Sequence, residues 1–304
     1  MKKTVLALML VAVMALSAGC VSYDYAETGQ YIVTAKEALN MVKDGAILVD
    51  VQAAEDYAAS HIDGAVNVPM SSLTVSEPYE NMLPDAAQIE EVMGAAGLTE
   101  NDTLLIYDNS KNADGVETNM QAARVQWTLN MFGNFNVRVV SGGLEYLLKA
   151  GGKDSATAAT LPAATYTAGE RQKTLYASMD YINAKLNNPE DGLVIIDVRT
   201  DAEVAEGMIP GAVHIEYSWT NYPSGEYKSP MDMQSTFISK GILPDMKLIV
   251  YCKSGVRAAQ MYTALKDAGY SEVRVYDGSW LEYSANNEVE APTDSVAPSK
   301  QDAS

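Results

Sequence analysis

Lys247-Leu248-Ile249-Val250-Tyr251-Cys252-Lys253-Ser254-Gly255-Val256-Arg257 is the stretch on which the reading of this chain turns. Its first five residues form a short apolar run rich in β-branched and aromatic side chains, the pattern of a buried strand. Ala258 to Ala268 then carries helical spacing, with Gly269 placed as the C-cap. Cys252 therefore ends a strand and opens a tight turn into a helix. In open α/β sheets, ligand sites lie at such strand ends. The N–H groups of the turn can point inward around one spot, and the helix dipole, Lys253 and Arg257 add positive character there. A thiol at that spot is expected to react as a thiolate.

Outward from this stretch the chain repeats itself. Leu193-Val194-Ile195-Ile196-Asp197 copies Ala46-Ile47-Leu48-Val49-Asp50. In the same unbroken register, Met208-Ile209-Pro210-Gly211-Ala212-Val213 copies His61-Ile62-Asp63-Gly64-Ala65-Val66. Farther on, Val250-Tyr251-Cys252 matches Ile106-Tyr107-Asp108, and Tyr276-Asp277-Gly278-Ser279 matches Val140-Ser141-Gly142-Gly143. One unit has been used twice, with Asp108 where the second copy has Cys252. An acidic residue in place of the cysteine argues for an exposed strand end rather than a packing position. Strands alternating with helical segments such as Met120–Phe132 imply, for each copy, a mainly parallel sheet with helices on both faces.

Taken in order, Asp197-Val198-Arg199, Ile209-Pro210-Gly211-Ala212, Tyr251 to Arg257 and Tyr276-Asp277-Gly278-Ser279-Trp280 resemble the motifs of a rhodanese domain. The first copy, with Asp50, His61 to Ala65, Tyr107-Asp108-Asn109, Ala122-Ala123-Arg124 and Ser141-Gly142-Gly143, resembles the inactive N-terminal half of tandem-domain sulfurtransferases that act on thiosulfate or 3-mercaptopyruvate. The resemblance implies an α/β fold of two rhodanese-like domains and sulfur transfer through a persulfide on Cys252. Lys253, Ser254, Gly255, Val256 and Arg257 would form the substrate-binding loop, and no metal or organic cofactor would be needed. A small anionic sulfur donor such as thiosulfate and a thiol or cyanide acceptor are implied. Related phosphatases have a loop one residue longer, so sulfur fits this one better than phosphate. Lys253-Ser254-Gly255 mixes the thiosulfate-preferring and mercaptopyruvate-preferring patterns, and Glu203 stands where tandem enzymes often carry a substrate-binding Arg. A persulfide carrier without fast turnover is the rival reading. Asp197 and Arg199 are candidates for supporting the site, or for ion-paired scaffolding. His61 and His214 read as structural, and Trp280 as packing near the site.

The remaining composition limits what else the chain can do. Its 304 residues suit two domains of about 100–150 residues. With 40 acidic against 21 basic residues the formal net charge is −19, which disfavours nucleic-acid binding. Two cysteines and two histidines cannot build a disulfide framework or a Cys/His zinc site. Lys2 and Lys3 precede an apolar run too short to span a bilayer, followed by Leu16-Ser17-Ala18-Gly19-Cys20. This resembles a lipoprotein signal, with Leu16 one residue farther from the cysteine than usual. The resulting expectation is a signal peptide (1–19), a lipidated Cys20 and a tether (20–30). The first copy (31–150), a Gly/Ala/Thr/Ser-rich linker (151–173), the active second copy (174–284) and a disordered tail (285–304) follow. The protein is expected to be exported and anchored by lipid to the cell membrane, facing outside the cytoplasm. The 18 tyrosines against 3 phenylalanines suggest half-exposed aromatic surfaces.

Overall fold

In a computed structural model, the described residues are 29–289 apart from 113, 114 and 117. The expected signal peptide, Cys20 and most of the tether and tail lie outside them. The first copy runs β1 (Ile32–Val33), α1 (Ala35–Lys43), β2 (Ile47–Asp50), α2 (Ala54–Ala59), β3 (His61–Ile62) and β4 (Val66–Asn67). It continues through α3 (Ala86–Ala95), β5 (Leu104–Tyr107), α4 (Met120–Met131), β6 (Val137–Val140), α5 (Gly143–Lys149) and β7 (Asp154–Ser155). The second copy has β8 (Tyr176–Ala177), α6 (Met179–Asn187), β9 (Leu193–Asp197), α7 (Asp201–Ala205) and β10 (Val213–His214). Then come α8 (Pro230–Ile238), β11 (Lys247–Tyr251), α9 (Val256–Asp267), β12 (Val273–Tyr276) and α10 (Ser279–Asn286).

Each copy forms a parallel five-stranded sheet, in the order β1-β6-β5-β2-β4 and β8-β12-β11-β9-β10. The two orders are equivalent strand for strand, as the sequence repeat requires. The copies also share a detail of wiring. Tyr107 Oη accepts from Ile62 N at 2.9 Å, and Tyr251 Oη accepts from Ile209 N at 3.0 Å. In both, the tyrosine just before the special strand end satisfies a buried backbone donor of the turn after the second helix.

Strand alternation sorts the side chains into layers. On β5, Leu104 and Ile106 face inward and Leu105 and Tyr107 outward; on β11, Leu248 and Val250 face inward and Ile249 and Tyr251 outward. The outer faces are covered by α1 and α5 on the first sheet and by α6 and α10 on the second. The inner faces meet in one continuous hydrophobic core containing α3, α4, α8 and α9. In α4 every residue from Ala122 to Met131 is buried, including Arg124, Gln126, Thr128 and Asn130. Thr263 of α9 donates to Gln126 of α4 at 2.7 Å, so polar side chains pair across the packed helices.

Two expectations, on the tail and on the tyrosines, are corrected. The expected linker carries backbone contacts to the first domain: β7 pairs with β3, Ala164 N donates to Gly94 O, and Gly169 N donates to Phe132 O. Gly94 permits this approach, since a Cβ there would lie 2.7 Å from Ala164 O. The expected tail begins inside a helix, because α10 runs to Asn286. The tyrosines are largely interior: Tyr57, Tyr107, Tyr166, Tyr251, Tyr262, Tyr270 and Tyr276 are buried, and Tyr57 and Tyr270 donate to backbone carbonyls.

The Tyr251–Ile209 bond yields a stability prediction. Tyr251→Phe leaves the Ile209 N–H buried without its acceptor and should cost about 1–3 kcal/mol. Urea denaturation checks this, and an unchanged midpoint would refute it.

Candidate active site

By strand parity Cys252 follows Leu248 and Val250, so its side chain faces the shared core and the first domain. It is only 1% exposed, and Asp108 is fully buried. The expectation of exposed strand ends is therefore corrected: Cys252 lies in the core shared by the two domains, and Asp108 is enclosed by Ser110, Gln121 and Ala122 of its own copy. Asn81 of the first domain donates to Ser254 Oγ at 2.9 Å over the cysteine loop. In mirror fashion, Tyr227 N of the second domain donates to Ser141 Oγ at 2.9 Å.

The loop is shorter in turn and longer in helix than expected. Helix α9 begins at Val256, so Val256 and Arg257 occupy its first turn. Gly255 is the N-cap, with φ +84°, a left-handed conformation that favours glycine. Gly255 N donates to Cys252 Sγ at 3.1 Å. The sulfur thus sits at a helix N-terminus with one backbone donor on it. The backbone around it is fixed by the segment after β12. Cys252 N donates to Ser279 Oγ at 3.3 Å, Trp280 N to Cys252 O at 3.0 Å, and Leu281 N to Lys253 O at 3.1 Å.

The cations named from the sequence fall into two kinds. Lys253 is exposed and, among the described residues, in no ion pair. Arg257 forms a two-pronged pair with Glu203, at 2.6 and 2.8 Å. Burial pushes the Glu203 carboxyl up, but Arg257 and the Thr200 backbone N–H pull it down to about 2. Burial likewise disfavours the Arg257 cation, while Glu203 and then Cys252 raise its pKa. Arg257 thus lies within electrostatic reach of the sulfur, with its charge balanced by Glu203.

Asp197 and Arg199 form a buried pair at 2.7 Å, and Arg199 also donates to Gly207 O and stacks over Trp280 at 4.2 Å. They brace the turn beside the loop. His214 Nε2 lies 2.7 Å from Arg199 O, and His61 lies between Tyr57 O and Thr157 O, both structural positions. Sequence reasoning missed Asn81, for which no local signal exists. It noted Glu203 without pairing it to Arg257; the capping box Thr200-Asp201-Ala202-Glu203 was a usable sign that Glu203 opens a helix beside the loop.

In the first copy, Asp108 Oδ2 accepts from Gln121 N at 2.8 Å, Ala122 N at 2.9 Å and Ser110 Oγ at 2.7 Å. A carboxylate of the chain occupies the helix N-terminus of α4, the kind of place where an anion binds.

The rhodanese-like domain model matches twice, at residues 34–150 and 178–286. The chain belongs to the rhodanese family. Its relatives support sulfurtransferase activity, so it is a sulfurtransferase with tandem rhodanese domains. It is 30% identical to the 3-mercaptopyruvate sulfurtransferase of Escherichia coli over 260 residues, covering 79% of this chain and 86% of that one. It is 26% identical to the thiosulfate sulfurtransferase of Corynebacterium glutamicum, covering 82% and 84%. The crystal structure of Escherichia coli SseA, a 3-mercaptopyruvate sulfurtransferase with the rhodanese fold, superposes with a TM-score of 0.72 at 25% identity, covering 83% of this chain and 99% of that one. EanB, solved among other states as a wild type, shares the fold with a TM-score of 0.75 at 19% identity, covering 87% and 70%.

Two predictions come from this geometry. Glu203→Gln should release the Arg257 charge and speed reaction with thiosulfate at low salt, whereas Arg257→Ala should slow it. Both effects should shrink as salt rises, and neutral alkylation of the thiol should change less. Equal effects on the two reagents would show that these charges do not draw the donor. The pair also carries a pH signature. The folded-state pKa of Glu203 is lowered to about 2 from the usual 4.5, so its stabilisation is present above about pH 4.5. It is lost as pH falls through 2, and Glu203→Gln should flatten the acid limb of the stability curve in that window.

Asp108 gives the second. Asp108→Asn should leave sulfur transfer near the parent rate, while Asp108→Ala strands buried donors and should cost about 1–3 kcal/mol in thermal or urea unfolding. A folded Asp108→Asn protein slowed by tenfold, about 1.4 kcal/mol in the barrier, would place part of the reaction in the first copy.

Proposed function

We propose that this tandem rhodanese transfers sulfane sulfur through a persulfide on Cys252. The carrying observation is the Gly255 N–H at 3.1 Å from Cys252 Sγ, at the N-terminus of α9. That donor and the helix end favour a thiolate and then the persulfide anion, the role oxyanion-hole donors play for oxygen. The thiolate attacks the terminal sulfur of thiosulfate or a similar donor. A new S–S bond forms, the old one breaks, and sulfite leaves with its electron pair. An acceptor thiolate or cyanide then attacks the outer sulfur of the persulfide, and the Cys252 thiolate is regenerated. Splitting the transfer in two is nucleophilic catalysis. Lys253, the exposed cation of the loop, is the side chain available to meet an anionic donor.

The Arg257–Glu203 pair favours a second reading, a persulfide carrier loaded by a partner without fast turnover on small donors. Steady-state turnover with thiosulfate and with mercaptopyruvate separates the two.

The protein is further proposed to be exported and held to the cell membrane by lipid on Cys20. Among the described residues no helix is long and apolar enough to cross a membrane. A diacylated cysteine gives the two chains that stable anchoring needs.

Two experiments test these readings. Intact mass after thiosulfate should rise by one sulfur atom in the parent and not in Cys252→Ser; sulfur uptake by Cys252→Ser would overturn the persulfide assignment. Cys20→Ala should move the protein from the membrane fraction to the soluble fraction, and continued retention would refute the lipid anchor.

A further inference from the structure

We propose that Arg124, from the first domain, is a positioning residue for the Cys252 loop of the second. The proposal rests on the persulfide reading above for its functional consequence, although its geometry stands apart from that reading.

Arg124 lies on α4 and is fully buried. Its Nη1 meets Asp277 Oδ1 at 2.8 Å, in an ion pair whose partners are 0% and 1% exposed. Its Nη2 donates to Asn81 O, and its guanidinium lies 4.7 Å over the Trp127 ring. The other Asp277 oxygen accepts from Leu83 N at 2.8 Å. The first domain therefore grips Asp277 with one side-chain cation and one backbone donor. Asp277 opens the segment whose Ser279, Trp280 and Leu281 bond the backbone of Cys252 and Lys253.

The second route to the sulfur is shorter. A Cβ on Gly255 would lie 2.7 Å from Arg124 Nη1, 3.1 Å from Asp277 O and 3.3 Å from Asp277 Oδ1. The guanidinium and Asp277 thus bear directly on Gly255, the residue whose N–H is aimed at Cys252 Sγ. Gly255 is held at φ +84° between the loop and this pair. Only one residue separates Arg124 from the reacting atom.

The chemistry of the pair suits positioning better than charge supply. Arg124 and Asp277 cancel, so the pair adds no net attraction for a donor anion. What it supplies is geometry: a planar fork can bear on Asp277 and reach the Asn81 carbonyl at once, which a lysine ammonium cannot match. A pair that held only the domains together could sit anywhere along the α4–α9 contact. This one sits on the glycine that caps the catalytic helix. The first domain, silent for want of a cysteine, then completes the site of the second.

The test uses the full-length protein and two designs. Arg124→Lys keeps the buried positive charge and loses the fork. The double variant Arg124→Gln with Asp277→Asn removes both charges, so neither is left buried alone. Thermal unfolding reports folding. Sulfur loading from thiosulfate is followed by intact mass, and the pH profile of Cys252 alkylation by iodoacetamide reports how well the Gly255 N–H serves the thiolate. Expected are folded proteins that load sulfur about tenfold more slowly, the barrier equivalent of about 1.4 kcal/mol, with the alkylation midpoint moved to higher pH in both. The double variant should recover stability relative to Arg124→Gln alone without recovering loading. Parent-like loading and an unmoved alkylation profile in folded variants would overturn the proposal and leave Arg124 as an interface strut. If the unmutated protein takes up no sulfur from thiosulfate, the proposed function fails instead, while the alkylation profile still decides the placement of the Gly255 N–H.

Discussion

Helices α4 and α9 are packed between two sheets, and each would expose the face turned to the other domain if the domains parted. A helix buried all round needs cover on every side, and here each domain supplies half of it for the other. The inner faces of both sheets drain into one core, so the site cannot be described as belonging to one domain. Strand parity then points Cys252 into this shared layer. The cysteine is buried because the layer is shared, and the groups that surround it come from both copies for the same reason.

Charge near the sulfur is organised by cancellation. Arg199 answers Asp197, Arg257 answers Glu203, and Arg124 answers Asp277. The Asp197–Arg199 and Arg124–Asp277 pairs are buried, whereas Arg257–Glu203 is partly exposed; a buried charge is tolerated only when it is paired. On the sulfur itself the Gly255 N–H is aimed at 3.1 Å, at the N-terminus of α9. Lys253 stands outside this balance on the exposed rim. The surroundings of the Cys252 sulfur therefore depend on backbone geometry, which a distant packing change can alter.

Much of this was legible in the sequence because it is local or repeated. The run Lys247–Tyr251, the helix after it and the copied strand Leu193–Asp197 were enough to expect two mainly parallel sheets, each with helices on both faces. Cys252 and its loop followed from the same stretch. Arg124 was visible only as part of a motif in the first copy, since its partner Asp277 is in the other domain. Asn81 left no trace, because a single asparagine in a loop carries no pattern. Glu203 was seen as a missing arginine, and its pairing with Arg257 depends on how α7 is set against α9. The exposure of Cys252 was misjudged because it faces the core shared by the two domains, and that of Asp108 because its carboxylate turns back onto the N–H groups of α4. The tyrosines were misjudged similarly, since their hydroxyls reach backbone partners, such as Ala65 O and Ile242 O, that composition cannot disclose.

Asp108 fills its own cradle with a ligand that cannot diffuse away. Tethered to the strand by a single methylene, its carboxylate meets the donors of α4 at an effective concentration far beyond that of any free anion. The first copy is in this sense permanently saturated. Under the function proposed above, a small sulfur oxyanion would meet the cradle of the second copy open and that of the first already filled by the chain itself.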